Sequence, residues 1–570
     1  MNETNPQAWR LRVGLAALSV ATLTVFVFWV AIYNGFVQWD DPLYLEKVAH
    51  LKRLSLPSLR WIATALLPLY YHPFTWLSHL IDYQVWGSNL AGHHATSILL
   101  HGANAGLVCL FVWRLTEATG NLSRSTRLAM AAGVAITFGI HPLQVESVAW
   151  LAERKTLLSG MFSLLCLGAY LRAVAERPPT TGLPTTIQRR WWWTMTALFL
   201  AALLSKPMAV SLPVMMLAMD FYPLRRRTRL GWLALVKEKW LLFACCLVMG
   251  ILTIVSQSRA GAVTNLAGLG ITTRGFVAAR NFDFYIWKLI WPAWLSPYYP
   301  LEGRIPLGDI EFAGSMMAVA VLTGFAWWRR RRMPLLWTAW CAYVVMLAPV
   351  SGLFQVGRQG AGDRFMYLPM IPILLIEAWV CVWAWNLFSR LGRATLLVLL
   401  GCLLLFYGFR SRGQIAVWHD DEALWTTAAG YFPDSVLANW KLASALMAQY
   451  RYEEALPRAQ KAARLDPGFG PIRATLGMVY VKTRHYPEAL ATLQEALRLK
   501  PEMTDATYAL ACAYSRLSRW DDAYRTLREL VAIEPSYARV AATDEELADL
   551  RKNPEFSNQV QSLLGSATTK

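Results

Sequence analysis

The stretch Gly35-Phe36-Val37-Gln38-Trp39-Asp40-Asp41-Pro42 follows directly on an apolar run over residues 11–33. That run is long enough to cross a bilayer. Two adjacent carboxylates at its end are costly unless they reach water or take part in chemistry. They open a loop over residues 35–91, about 57 residues, far longer than a helix connection needs. A plain alternative is a helix cap or a solvated turn ahead of Pro42.

The composition around this stretch belongs to a membrane class. The chain is 55% hydrophobic and 16% charged, with 27 Trp, against about 25% charged in ordinary soluble domains. The net charge of +18 is carried by clusters between apolar runs: Arg189-Arg190, Arg225-Arg226-Arg227 and Arg329-Arg330-Arg331-Arg332. That is a topological signature. No recognition motif accompanies it, so nucleic acid is not an expected partner. Seven of the eight Cys sit in apolar runs and Cys512 in a C-terminal helix, so packing rather than a disulfide framework is expected. Arg10 and Arg12 precede a run too long for a cleaved signal, which reads as a retained anchor with its N-terminus in the cytoplasm.

Apolar runs recur near 11–33, 93–114, 128–141, 156–173, 191–205, 208–221, 240–256, 311–328, 335–351, 366–388 and 394–409. This predicts about eleven spans, several shorter than the roughly 20 residues a span ideally needs. With the N-terminus inside, the loops at 115–127, 174–190, 222–239, 329–334 and 389–393 fall inside, and all are basic. An odd count then puts the C-terminal region outside, in the periplasm of a bacterial inner-membrane protein. The Trp-rich stretch 276–299 is broken by Arg280, Asp283 and Lys288 and reads as an interfacial or re-entrant element.

From about Trp418 the chain changes character. Pro467, Pro501 and Pro535 recur at one interval, as do Ala455, Ala489 and Ala523. A period of about 34 residues, with small residues at helix contacts and Pro after the second helix, predicts tetratricopeptide repeats. They are expected at 436–469, 470–503 and 504–537. Pro433 and Ala428 suggest a leading half repeat, and 536–565 a closing helix pair. Such an array binds a peptide or protein in its concave groove. The fold class is therefore all-α: a multi-span domain over 1–415, then an α-solenoid over 416–570.

The assigned orientation collects polar residues on the outer face. Asp40, Asp41, His79, Asp82, Glu146, Glu153, Arg154, Lys155, Lys206, Arg358, Asp363 and Arg364 all fall there. Sugar transfer from a polyprenyl phosphate carrier needs this mixture. A carboxylate takes the acceptor proton, and cations neutralise the departing phosphate. Arg154 or Lys155, with Arg364 and Lys206, are the candidate phosphate ligands; snorkelling is the alternative for Lys206. Glu146, Glu153, His79 and Asp82 are candidates for binding sugar or acceptor. Glu146 and Glu153, seven apart, suit one helix face. An interfacial belt of internal salt bridges is the other reading of these charges. His93-His94 with His101, and His79 with Asp82, have possible metal spacings, but none completes a zinc motif.

Several segments resemble the TMTC family. They are the quoted stretch, His141-Pro142-Leu143-Gln144-Val145-Glu146-Ser147-Val148-Ala149-Trp150, Ala152-Glu153-Arg154-Lys155, Lys206-Pro207-Met208, Asp220-Phe221-Tyr222-Pro223-Leu224 and Asp363-Arg364-Phe365-Met366-Tyr367-Leu368-Pro369. That family joins a GT-C-type membrane glycosyltransferase module to C-terminal tetratricopeptide repeats. The resemblance implies O-mannosyl transfer from a dolichyl-type phosphate sugar to a protein Ser/Thr or a glycan. It also implies a first-loop Asp as base, without separating Asp40 from Asp41. Eukaryotic members carry many more repeats than the three expected here. No cofactor is implied with certainty, and a divalent metal stays open because GT-C enzymes differ in using one. The rival expectations are a non-catalytic membrane scaffold that assembles envelope proteins through its repeats, and a transporter or flippase.

Overall fold

The structure is a computed structural model describing residues 6–45, 49–65, 71–175, 186–259, 270–301, 310–353 and 359–568. Arg177 and Arg358 lie outside the described residues. Each of the eleven apolar runs is helical. Among the described residues, seven helices are long and apolar enough to cross a membrane. A bent pair, Arg124–Ile140 with Pro142–Ala149, would add an eighth. The runs Pro207–Phe221 and Pro334–Val350 form shorter apolar helices, and 191–205 lies in the helix Thr186–Ser205. The ambiguous stretch at 276–299 is mostly the helix Ile271–Ile290, which is not among the seven.

In lipid, helices gain little from burying apolar surface, so close backbone approach carries more weight. The helices Pro6–Phe28 and Leu90–Glu117 meet in this way. A Cβ added to Gly102 would lie 2.6 Å from Val25 and 3.0 Å from the Ala21 carbonyl. One on Gly106 would lie 3.2 Å from the Ala17 carbonyl. Gly102→Leu is expected to lower stability by about 1–3 kcal/mol through overpacking. Thermal unfolding of purified protein in detergent checks this; an unchanged midpoint contradicts the close packing.

Buried polar groups then join the helices. Asn104 donates to the Tyr367 hydroxyl (2.8 Å) and to the Leu157 carbonyl (2.9 Å), while His101 contacts Tyr367 and the Gly139 carbonyl, each at 3.0 Å. The long first loop is structured by the helices Asp41–Leu45, Leu56–Thr64 and Pro73–Trp86. Its start is tied to the end of the helix Arg390–Val417: Gly35 donates to the His419 carbonyl (2.7 Å), and Asn34 to that of Trp418 (3.0 Å). These bonds carry the first compact unit to Asp420, a few residues past the expected boundary at 415. The described residues hold one small sheet, Tyr299–Pro300 antiparallel to Gln359–Ala361.

The second unit, Asp421–Lys570, is a helical array. Its pairs are Val436–Ala448 with Tyr452–Leu465, Gly470–Lys482 with Tyr486–Leu499, and Thr504–Arg516 with Trp520–Ile533, led by Asp421–Tyr431. Ala455, Ala489 and Ala523 are fully buried at the contacts between helices. Tyr450, Arg484 and Ser518 adopt positive φ at matching turns. The closing segment is not a helix pair. It is three short helices, Ser536–Thr543, Ala548–Lys552 and Ser557–Thr568, because Asp544 and Asn553 break the chain with extended backbone. The repeat aromatics serve contacts within the array: Trp440 donates to Thr475 (2.8 Å) and Tyr508 to Asp544 (2.9 Å).

Candidate active site

The Asp pair divides into two environments. Asp41 is 1% exposed. Its carboxylate accepts from the Val37 amide (3.1 Å) and, across the fold, from the Ala152 amide (2.9 Å). It does not cap its own helix. Burial pushes the Asp41 carboxyl up to about 7, despite these two donors. The Asp40 side chain is 27% exposed, with a carboxylate oxygen 3.9 Å from Lys155 Nζ. Asp41 therefore couples the first loop to the turn before Glu153, and Asp40 is the carboxylate that faces an open space. Trp39 stacks on Trp150 at 5.0 Å, and Trp150 on Trp418 at 5.3 Å, beneath this turn.

Beside Asp40, three cations surround one buried carboxylate. Glu153 accepts from Lys206 (3.0 Å) and Thr156, and is ion-paired with Lys155 (3.1 Å) and with Arg364, whose Nε is 3.4 Å away. Lys206 also donates to Thr156 Oγ1 (2.6 Å). Arg364 is held by Glu146 through its side chain and its amide (2.8 Å), and donates to Gln359 (2.9 Å). Lys155 and Arg364 both lie against the Trp150 ring, at 5.8 and 5.5 Å. Three cations stand against three carboxylates, Glu153, Glu146 and Asp40, so the cluster is charge-balanced, and its Lys and Arg donors suit a phosphate that takes over their carboxylate contacts. Burial, together with the neighbouring Lys155 and Arg364 charges and against the pull of Glu153, lowers Lys206 to about 8. A small cavity of about 40 Å³ lies here, lined by Thr156, Lys206 and Arg364 among others.

The strand pair explains how Arg364 arrives. Gly362 and Tyr285 exchange hydrogen bonds (2.8 and 3.0 Å), Asn281 donates to the Gly360 carbonyl (2.8 Å), and Tyr299 donates to Asp363 (2.9 Å). Burial raises the Asp363 carboxyl well above its usual range. The nearby Glu146 charge adds to this rise, while the Tyr299 hydroxyl donates to the Asp363 carboxylate.

Four sequence expectations need correction. Arg154 is fully buried, ion-paired with Asp82, and donates to the His93 carbonyl (2.5 Å) and to Ser97 (3.2 Å). It is an internal strut; Lys155, one residue on, is also buried but is directed to Asp40 and Glu153. Asp82 is taken up by that pair, so neither residue is placed to bind donor, sugar or acceptor. His79 is buried against Tyr44 with ring centroids 5.1 Å apart, and is likewise inaccessible. Glu146 and Glu153 do not share a helix, because Trp150 is extended between Val145–Ala149 and Leu151–Glu153. Arg364 brings them together instead. Thr156, Gln359 and Tyr44 were not singled out by sequence. Thr156 follows Lys155 directly, a local signal; Gln359 and Tyr44 carry none.

Among the described residues, no group of three or more His, Cys, Asp or Glu is placed to hold a metal. His101 and His93 have carbonyl and side-chain partners instead.

Comparison with known proteins agrees with this organisation. Tetratricopeptide-repeat models match residues 422–468, 446–497 and 484–543. The chain is 22% identical over 459 residues to human protein O-mannosyl-transferase TMTC1, covering 71% of this chain and 49% of that protein. It is 24% identical over 387 residues to human protein O-mannosyl-transferase TMTC4, covering 60% and 47%. A shorter match, 33% over 144 residues, is to Tmtc1 of Drosophila melanogaster, covering 25% and 16%. The chain spans about half the length of the two human relatives. Among solved structures, the crystal structure of MamA matches 26% of this chain and 85% of its own, at 18% identity and a TM-score of 0.23. The chain thus carries a C-terminal tetratricopeptide-repeat array behind apolar helices long enough to cross a membrane, and it is similar to the TMTC proteins in both parts.

Proposed function

We propose that this protein is an integral membrane glycosyltransferase. It moves a monosaccharide, with mannose the expected sugar, from a polyprenyl phosphate carrier to a hydroxyl of a protein Ser/Thr or a glycan. The single observation that carries the reading is the juxtaposition of the accessible Asp40 carboxylate with Lys155, in a cluster that also holds Lys206 and Arg364. Asp40 takes the acceptor proton as the hydroxyl oxygen attacks the anomeric carbon. The bond from that carbon to the phosphate oxygen breaks, and the electron pair leaves with the phosphate. Lys155, Lys206 and Arg364 neutralise the departing charge, with Glu153 and Glu146 fixing their positions. Direct displacement inverts the anomeric centre. Asp41 positions the loop through Val37 and Ala152. The site faces the periplasm of the bacterial inner membrane in this reading, and the repeats hold the protein acceptor. The similarity to the human protein O-mannosyl-transferases TMTC1 and TMTC4 supports it.

The test offers purified protein a panel of polyprenyl phosphate sugars and nucleotide sugars with Ser/Thr peptides. Transfer from the lipid-linked donor, with an inverted product by NMR, supports the proposal; transfer only from nucleotide sugars, or retention, overturns it.

Lys206 gives a pH prediction. With its ammonium lowered to about 8, it is charged below that pH and loses its hold on phosphate above it. The kcat/KM profile, which reports the free enzyme, is expected to fall on the alkaline side near pH 8. Lys206→Arg, which stays protonated, should move that limb upward. An unmoved limb assigns it to another group.

A further inference from the structure

A second cavity, of about 690 Å³, opens around Phe221 and Trp337, with none of the lining residues of the cavity beside Lys206. Helices Leu212–Phe221 and Pro334–Leu347 turn their Leu212 and Met346 positions toward the small cavity beside Lys206 instead. The volume is within the roughly 300–1,000 Å³ of ligand sites. Three arginines line it, Arg227, Arg330 and Arg331, together with Trp232, Trp327 and Trp337. The rest of the wall is largely apolar, including Leu217 and Val345.

Among the described residues, no free carboxylate balances the charge of this cavity. Nearby carboxylates are already engaged: Asp220 by Lys239 (2.7 Å) and Arg226 (3.0 Å), and Glu238 by Arg226 (2.6 Å) and Lys239 (3.0 Å). Among the described residues, none of Arg227, Arg330 or Arg331 pairs with a carboxylate. Arg330 stacks on Trp327 at 3.8 Å and donates to its carbonyl (2.7 Å), and Arg227 lies 5.5 Å from the Trp232 ring. The guanidinium planes are thereby oriented, while Arg227 and Arg331 remain exposed. Oriented arginines, rimmed by tryptophan at the end of an apolar cleft, match the chemistry of an anionic headgroup above acyl chains.

We propose that this cavity binds one anionic diacyl phospholipid, with its phosphate on Arg227, Arg330 and Arg331 and its chains along the apolar wall. A bare phosphate shares the headgroup chemistry, but it would leave most of the volume and the apolar wall unused. The proposal does not depend on the sugar-transfer reading. The basic loops assign this end to the inner face of the membrane.

The experiment uses the full chain in detergent, titrated separately with phosphatidylglycerol, phosphatidylcholine and inorganic phosphate, and read by native mass spectrometry. One phosphatidylglycerol should be retained in preference to phosphatidylcholine. Arg227→Gln with Arg331→Gln should weaken that retention by about tenfold or more, as expected for lost charge-assisted contacts. Arg332→Gln, outside the lining, should leave it unchanged. An unchanged melting temperature of the double variant shows that it is folded. Equal retention of the two lipids, no effect of the double variant, an equal effect of Arg332→Gln, or saturation by inorganic phosphate alone would each overturn the proposal.

Discussion

Under the proposed reaction, Asp40→Asn is expected to lose about 10²–10⁴-fold in sugar-transfer rate, the usual contribution of a positioned general base. The side chain is isosteric and partly exposed, and its recorded contact is a 3.9 Å approach to Lys155. The pair is long, and Lys155 keeps its 3.1 Å ion pair with Glu153 when the Asp40 charge is removed. The melting temperature should therefore hold while activity disappears. Asp41→Asn behaves differently. Both Asp41 oxygens accept from backbone amides, and an amide side chain would set an NH₂ against one of those N–H groups. Lowered stability with partial activity is expected there. Full activity of Asp40→Asn, measured as labelled sugar reaching acceptor peptide, contradicts the assignment.

Asp82→Leu lowers the stability of the membrane unit by about 3–5 kcal/mol, because it leaves the buried Arg154 guanidinium without its carboxylate. Arg154→Met in the same chain should recover much of the loss, since an apolar pair of similar volume avoids an unpaired buried charge. Thermal unfolding of the single and double variants gives the comparison. If Asp82→Leu alone unfolds normally but fails in transfer, the pair belongs to the reaction and not to the frame.

These two predictions fall on residues that sequence had grouped together, and the reason is geometric. Successive helical residues point about 100° apart. The helix that begins at Arg154 therefore turns Arg154 to Asp82 and Lys155 to Asp40. Nothing in the motif Ala152-Glu153-Arg154-Lys155 says which turns to which. The same holds for Glu146 and Glu153, whose expected helical register is broken by one extended residue, Trp150.

The apolar runs and the repeats were legible because each is a long periodic signal. The helix pairs start at Val436, Gly470 and Thr504, at the interval set by Pro467, Pro501 and Pro535. The Asp40-Asp41 stretch was legible as a candidate because carboxylates beside a span need a reason. Gln359 and Tyr299 were not legible. Their strands have three and two residues, too short for any periodicity, and pair across about 60 residues of chain. That pairing delivers Arg364 to Glu146 and Glu153, so the cation cluster is a product of the tertiary fold.

The most direct measurement is transfer of radiolabelled mannose from polyprenyl phosphate mannose to envelope-protein acceptors, with purified wild-type protein beside Asp40→Asn. The account predicts label on acceptor hydroxyls with wild type and background label with the folded variant. No transfer by wild type, while the repeats stably capture an envelope protein, would contradict it and leave a scaffold in place of an enzyme.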